Sequence, residues 1–127
     1  GEYPLDANDS ALMQVEFANG ALGVIHTTRW ATGHANSLFL RVHGTKGALR
    51  LDLDKSYNEL EICLGKDIHK TNWKTIKASP TPSIYERFIT AVRTGKQGEP
   101  DFARGAEIQK ALDACFESDR IGRAVRL

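Results

Sequence analysis

Long apolar runs are missing from this chain of 127 residues. No stretch approaches the ~20 consecutive apolar residues that a helix needs to cross a bilayer. The opening residues, GEYPLDANDS, are too polar for a secretion signal. A cytoplasmic setting without a membrane partner is the expectation. An excess of one charge is missing too: 17 Lys and Arg stand against 16 Asp and Glu, a net +1, and the basic residues are scattered among acidic ones. A general nucleic-acid binder would carry a basic excess or a dense basic stripe, so nucleic acid is not an expected partner. Cysteine is scarce. Cys63 and Cys115 have no spacing that marks a metal knuckle or a disulfide framework, and free thiols are the reading. His26, His34, His43 and Cys63 fit no closed zinc pattern, so no metal is expected. No serine sits in a Gly-x-Ser-x-Gly elbow. Internal repeats and low-complexity tracts are also lacking.

What is present is ordinary globular composition, 41% apolar and 26% charged. Residues 1–10 read as a polar lead-in or domain junction, and 11–127 as a single domain. From 11 to 78 the chain is a series of short alternating runs rich in β-branched and aromatic residues, separated by turn residues. Six strands are expected, over 11–17, 21–30, 37–43, 48–53, 59–64 and 73–78. Asn19-Gly20 closes the first hairpin because both residue types tolerate positive φ. Gly44-Thr45-Lys46-Gly47 closes the second. Leu38, Leu40 and Val42 share one face of their strand, as do Leu49, Leu51 and Leu53, and Leu60, Ile62 and Leu64. The opposite face carries Phe39, Arg41, His43, Arg50, Asp52, Glu61 and Cys63, a mixture suited to water, a ligand or a second subunit.

Two helices follow. Pro82 suits a first helical turn, Ser83-x-x-Glu86 matches a capping box, and Ile84, Phe88, Ile89 and Val92 form an apolar stripe that stops at Gly95. Asp101 can cap a second helix with Ile108, Ala111, Leu112, Cys115 and Phe116 on one side. Lys110 and Asp113 are spaced to pair across one turn, and Gly122 supplies the stop. Residues 123–127 alternate enough to add a strand. The expected fold class is α+β, an open, mainly antiparallel sheet of about six or more strands with two or more helices packed on one face.

Asn19-Gly20-Ala21, then 44–52 (GTKGALRLD), then Phe88 with Thr94-Gly95-Lys96, and finally 100–127 occur in an order that resembles the C-terminal domain of the Gfo/Idh/MocA oxidoreductases. That family includes glucose-fructose oxidoreductase and inositol 2-dehydrogenase, and the likeness runs from residue 11 onward. The resemblance implies a parent enzyme that is an NAD(P)-dependent dehydrogenase acting on a sugar, polyol or related small alcohol. It also implies an N-terminal Rossmann domain, a sheet-mediated homodimer or higher homo-oligomer, and a catalytic Lys from a Glu-Lys-Pro motif. This chain contains neither that motif nor a G-x-G-x-x-G after a strand, so no catalytic or cofactor-binding residue carries over. The expectation is a substrate-side and oligomerisation domain, inactive alone, whose Rossmann partner is absent and which binds neither NAD nor NADP. A non-enzymatic small-ligand-binding or dimerisation module using the open sheet face stands as the alternative.

Candidate residues follow from position. Arg29, Trp30, His34 and Asn36 fall where the second strand ends, and loop ends carry function more often than strand centres. They offer a hydrogen-bonding fork, a stacking face, a titratable nitrogen and an amide, all usable on a sugar or polyol. They are the substrate-facing candidates. Phe39, Arg41, His43, Arg50 and Glu61 are the candidates for a dimer face.

Overall fold

Turn chemistry sets the strands. A computed structural model describes residues 1–2, 4 and 7–127, so Tyr3, Leu5 and Asp6 of the expected lead-in lie outside the described residues. The fold is α+β and falls into two compact units, one of Gly1–Thr28 with Pro82–Leu127 and one of Arg29–Thr81.

In the first unit, β1 (Ser10–Glu16) and β2 (Leu22–Thr28) form an antiparallel hairpin in which Met13 pairs with Ile25 and Glu16 with Leu22. Its turn departs from the simplest Asn-Gly expectation. Phe17 N–H donates to Ala21 O at 2.9 Å and Gly20 N–H to Phe17 O at 2.8 Å, leaving a three-residue loop in which Gly20 takes φ +81°. Asn19 keeps a negative φ and instead accepts the Ala21 N–H on Oδ1 at 3.1 Å. This is the three-residue hairpin that places glycine at a bulge.

The helices of this unit begin and end where their caps stand. α1 (Ile84–Thr94) has a full capping box: Ser83 Oγ accepts the Glu86 N–H at 3.2 Å, and Glu86 Oε2 accepts the Ser83 N–H at 2.7 Å. Pro82 therefore precedes the cap rather than opening the first turn, since Ser83 is the residue whose side chain meets the free amides. α2 (Phe102–Ile121) is capped by Asp101, whose Oδ1 accepts the Arg104 N–H at 2.8 Å, and stops at Gly122 in the left-handed conformation. Two expectations fail near it. Asp113 accepts from Gln109 Nε2, four residues back on the same face, at 2.8 Å, and no ion pair with Lys110 forms among the described residues. Residues 123–127 are not a strand; Ser118 Oγ caps the chain by donating to the Arg123 carbonyl at 2.9 Å.

The second unit is a four-stranded antiparallel meander of β3 (Phe39–Gly44), β4 (Gly47–Asp52), β5 (Glu59–Leu64) and β6 (Lys74–Lys77). The six expected strands thus appear among the described residues as a pair and a quartet. Register aligns the apolar positions: Leu40 with Leu51, Val42 with Leu49 and Ile62, and Leu60 with Ile76. Opposed residues share a face, so these side chains make one apolar surface. A 3-10 helix, Gly65–Lys70, joins β5 to β6 and ends at Thr71, which takes the left-handed conformation with φ +51°. Asp67 holds this connection, accepting from Lys74 Nζ at 2.6 Å and from Asn72 Nδ2 at 3.3 Å.

Candidate functional site

All the candidate site residues fall in the second unit, on the loop 29–38 and on the polar face of the meander. The loop is shaped by one turn. His34 N–H donates to Ala31 O at 2.9 Å, and Gly33 takes φ +86°, the left-handed third position of a type II turn. Nothing would crowd a side chain there, so glycine at 33 answers to backbone conformation alone.

The β3–β4 register then fixes what the loop touches. Gly44 pairs with Gly47 and Phe39 with Asp52; Leu53 N–H donates to Leu38 O at 3.0 Å, extending the ladder past the assigned strands. The next pair outward sets Ser37 opposite Asp54. Ser37 Oγ donates to Asp54 Oδ2 at 2.6 Å, and His34 Nδ1 stands 2.9 Å from Ser37 Oγ and 3.4 Å from Asp54 Oδ2. The His34 ring also meets Phe39 edge to face, 6.4 Å between centroids at 84°. Asp54 is itself held, its N–H donating to Asp52 Oδ1 at 3.1 Å.

Of the four substrate-facing candidates, the structure ties His34 into this cluster. Arg29 and Asn36 are exposed, with no side-chain hydrogen bond or ion pair among the described residues. Trp30 presents its indole to solvent, 78% exposed. Ser37 and Asp54 were missed from sequence, although the signal was there: counting outward from the Gly44 and Gly47 pair reaches them.

The polar face of the meander carries a row of four opposed residues, Arg41, Arg50, Glu61 and Thr75. Arg50 grips Glu61 with both arms of its fork, Nε to Oε2 at 2.7 Å and Nη2 to Oε1 at 2.8 Å. These hydrogen bonds, against some desolvation, hold the Glu61 carboxyl below the usual carboxylate range and raise Arg50. The guanidinium also lies over the Trp73 ring, 4.4 Å from its centroid, a stack that sequence reading did not anticipate. An open cavity of about 190 Å³ beside the pair is lined by Asp52, Lys55, Ser56, Glu59 and Thr75 with Arg50 and Glu61.

Phe39, Arg41 and His43 of the proposed dimer face are exposed on β3, while Arg50 and Glu61 are half-buried. The far end of that face is covered. Cys63 is only 5% exposed, in a second cavity of about 190 Å³ walled by His43, Ala48, Ile68, Thr71 and Trp73. Cys63 and Cys115 are both free thiols. Among the described residues no group of three His, Cys, Asp or Glu is gathered to hold a metal ion, and no helix is long and apolar enough to cross a membrane.

Residues 1–127 match the C-terminal alpha/beta domain of the Gfo/Idh/MocA oxidoreductase family. The levoglucosan dehydrogenase of Pseudarthrobacter phenanthrenivorans is 26% identical over 91% of this chain and 35% of its own length. Levoglucosan dehydrogenase in complex with NADH and levoglucosan superposes with a TM-score of 0.80 at 24% identity, covering 95% of this chain and 39% of that one, a likeness of fold. An oxidoreductase domain protein from Kribbella flavida superposes with a TM-score of 0.78 at 27% identity, covering 95% of this chain and 37% of that one. The chain spans a little over a third of the length of these relatives.

Proposed function

Because the chain belongs to the C-terminal alpha/beta domain of the Gfo/Idh/MocA oxidoreductases, we propose that it serves as the substrate-side and oligomerisation domain of an NAD(P)-dependent oxidoreductase. The substrate is a sugar, polyol or related small alcohol. The observation that carries this reading is the family match over the whole chain.

The dinucleotide is held elsewhere in the parent enzyme. A pyrophosphate cradle needs a parallel βαβ unit with free amides at a helix N-terminus. Every strand pair described here is antiparallel, and each α-helix N-terminus already has a carboxylate of this chain accepting one of its amides, Glu86 for α1 and Asp101 for α2. These residues do not fit the group. The chain's own contribution is recognition: Trp30 offers an apolar face for a sugar ring, and Arg29, Asn36 and His34 offer hydroxyl partners around it. The polar face with Phe39, Arg41, His43, Arg50 and Glu61 is where a second copy docks.

The test is a pair of titrations on the 127-residue chain. Levoglucosan and a panel of simple polyols should shift the Trp30 indole resonance in a saturable way, while NADH should bind without saturation. Saturable NADH binding, or no response of residues 29–36 to any sugar or polyol, would overturn the reading. Light scattering should give a dimer that Arg50→Glu dissociates; a concentrated wild-type monomer would refute the docking face.

A further inference from the structure

Resting on the substrate-side reading above and deepening it, we infer that Ser37 and Asp54 are positioning residues that hold His34 with its proton on Nδ1. Nε2 is then left as a bare acceptor for a substrate hydroxyl.

Ser37 has one hydroxyl proton, and a carboxylate accepts but does not donate. The 2.6 Å contact between Ser37 Oγ and Asp54 Oδ2 is that of a charge-assisted O–H···O⁻ bond, so the serine proton is committed to Asp54. Oγ keeps only lone pairs. The 2.9 Å approach of His34 Nδ1 to that oxygen is a hydrogen bond only if Nδ1 carries the proton. Asp54 Oδ2, at 3.4 Å from the same nitrogen, draws the proton the same way. In a neutral imidazole protonated at Nδ1, the free lone pair is on Nε2, and which nitrogen is protonated is set by what the other one meets.

Geometry completes the device. The turn at residues 31–34 sets the backbone of His34, and the Phe39 edge contact sets the ring plane. The His34 side chain remains 47% exposed, and Nε2 has no partner among the described residues. The arrangement is not that of a nucleophilic serine. There the serine donates to the nitrogen opposite the one held by the carboxylate, whereas here serine and carboxylate share one nitrogen and the serine proton points away from the ring. An exposed acceptor nitrogen of this kind suits a neutral, hydroxyl-rich ligand.

Long-range ¹H–¹⁵N correlation spectra of the labelled 127-residue chain, taken at a pH where the spectra themselves show one protonated ring nitrogen, read the tautomer of His34 directly. The expected result is a pyrrole-type Nδ1 and a pyridine-type Nε2, with the Nδ1–H form in about tenfold excess, the ratio one hydrogen bond of ordinary net strength sustains. Ser37→Ala should keep the Nδ1–H form, with Asp54 accepting directly. Asp54→Ala frees the serine proton for Nδ1 and should invert the balance to Nε2–H. A wild-type His34 that is mainly Nε2–H, or a balance unchanged in Asp54→Ala, would overturn the inference. The wild-type and Ser37→Ala spectra decide it even if Asp54→Ala does not fold. Adding levoglucosan should then move Nε2 more than Nδ1. A sugar that moves neither, with the tautomer as expected, would refute the substrate-side reading and leave the positioning intact.

Discussion

Replacing Gly47 with alanine should be the most costly single methyl group that can be added to the meander. Gly47 opens β4 and pairs with Leu64 at the end of β5. A Cβ built on it would meet the Cys63 carbonyl oxygen at 2.7 Å and run into the Leu64 side chain. The Leu64 methyl can swing away, because it is half exposed. The carbonyl cannot, because moving it breaks the β4–β5 ladder. Overpacking of this kind costs about 1–3 kcal/mol. The Gly47 φ of +158° lies at the rim of the region that L residues rarely adopt, which adds about 1 kcal/mol. The total is roughly 2–4 kcal/mol. With an unfolding entropy of about 2.1 cal/mol/K per residue over this chain, each kcal/mol lowers the midpoint by about 4 °C, so the drop should be about 8–15 °C. Gly44→Ala is the control. Its added Cβ would meet only the Gly47 carbonyl oxygen, at an ordinary 3.5 Å, and its cost should stay within about 0.5 kcal/mol. Thermal and urea unfolding followed by far-ultraviolet circular dichroism measure both. A Gly47→Ala midpoint within about 2 °C of wild type, or equal losses in the two variants, would refute the reasoning.

Acid should unfold the second unit through Glu61. Its carboxyl lies below its ordinary 4.5 in the folded chain because of the Arg50 hydrogen bonds, so its stabilising contribution is full above about pH 4.5 and is lost as pH falls through the folded value. Glu61→Gln should flatten the acid limb of a pH–stability profile in that window, and an unchanged limb would count against the pair. Asp67, lowered from 3.8 chiefly by Lys74 and then by Asn72, should act the same way at lower pH, with Asp67→Asn as its test. Ser83→Ala removes the cap of α1 and should cost about 1 kcal/mol, read as a lower urea midpoint and reduced helical signal. Gly33→Ala meets no atom but strains the backbone, and should cost about 1 kcal/mol while shifting the His34 resonances.

Much of this architecture is legible from residues because the rules involved are local. Alternation found all six strands to within a few residues, and Ser83 with Glu86 and Asp101 with Gly122 marked helix ends that the backbone honours. What escaped depends on spacing in three dimensions. The 3-10 helix Gly65–Lys70 has no periodic apolar pattern, being held by Asp67 reaching forward to Asn72 and Lys74. Trp73 reads as the start of a strand, whereas its ring lies against Arg50, a contact that requires β6 to be placed first. The apolar stripe expected on α2 is weak, since alanines at 103, 106 and 114 spread apolar surface around the helix while α1 concentrates it. The alternation over 123–127 finds no partner strand among the described residues.

The candidate site owes more to sheet register than to its own loop. Ser37 faces Asp54 because Gly44 faces Gly47 seven residues away along each strand, and a slip of one residue would turn both side chains to other neighbours. The tight turn at Thr45-Lys46 is therefore a remote determinant of how His34 holds its proton. Gly47→Ala then separates two possibilities that static geometry alone leaves together. If the strain is relieved by fraying β5, the Ser37 to Asp54 bond survives and the His34 tautomer is unchanged despite the lost stability. If it is relieved by a slip of β4 along β3, the tautomer balance collapses although no residue near His34 was touched. The short β3–β4 connection, with two residues between paired glycines, resists a slip, so fraying is the expected response.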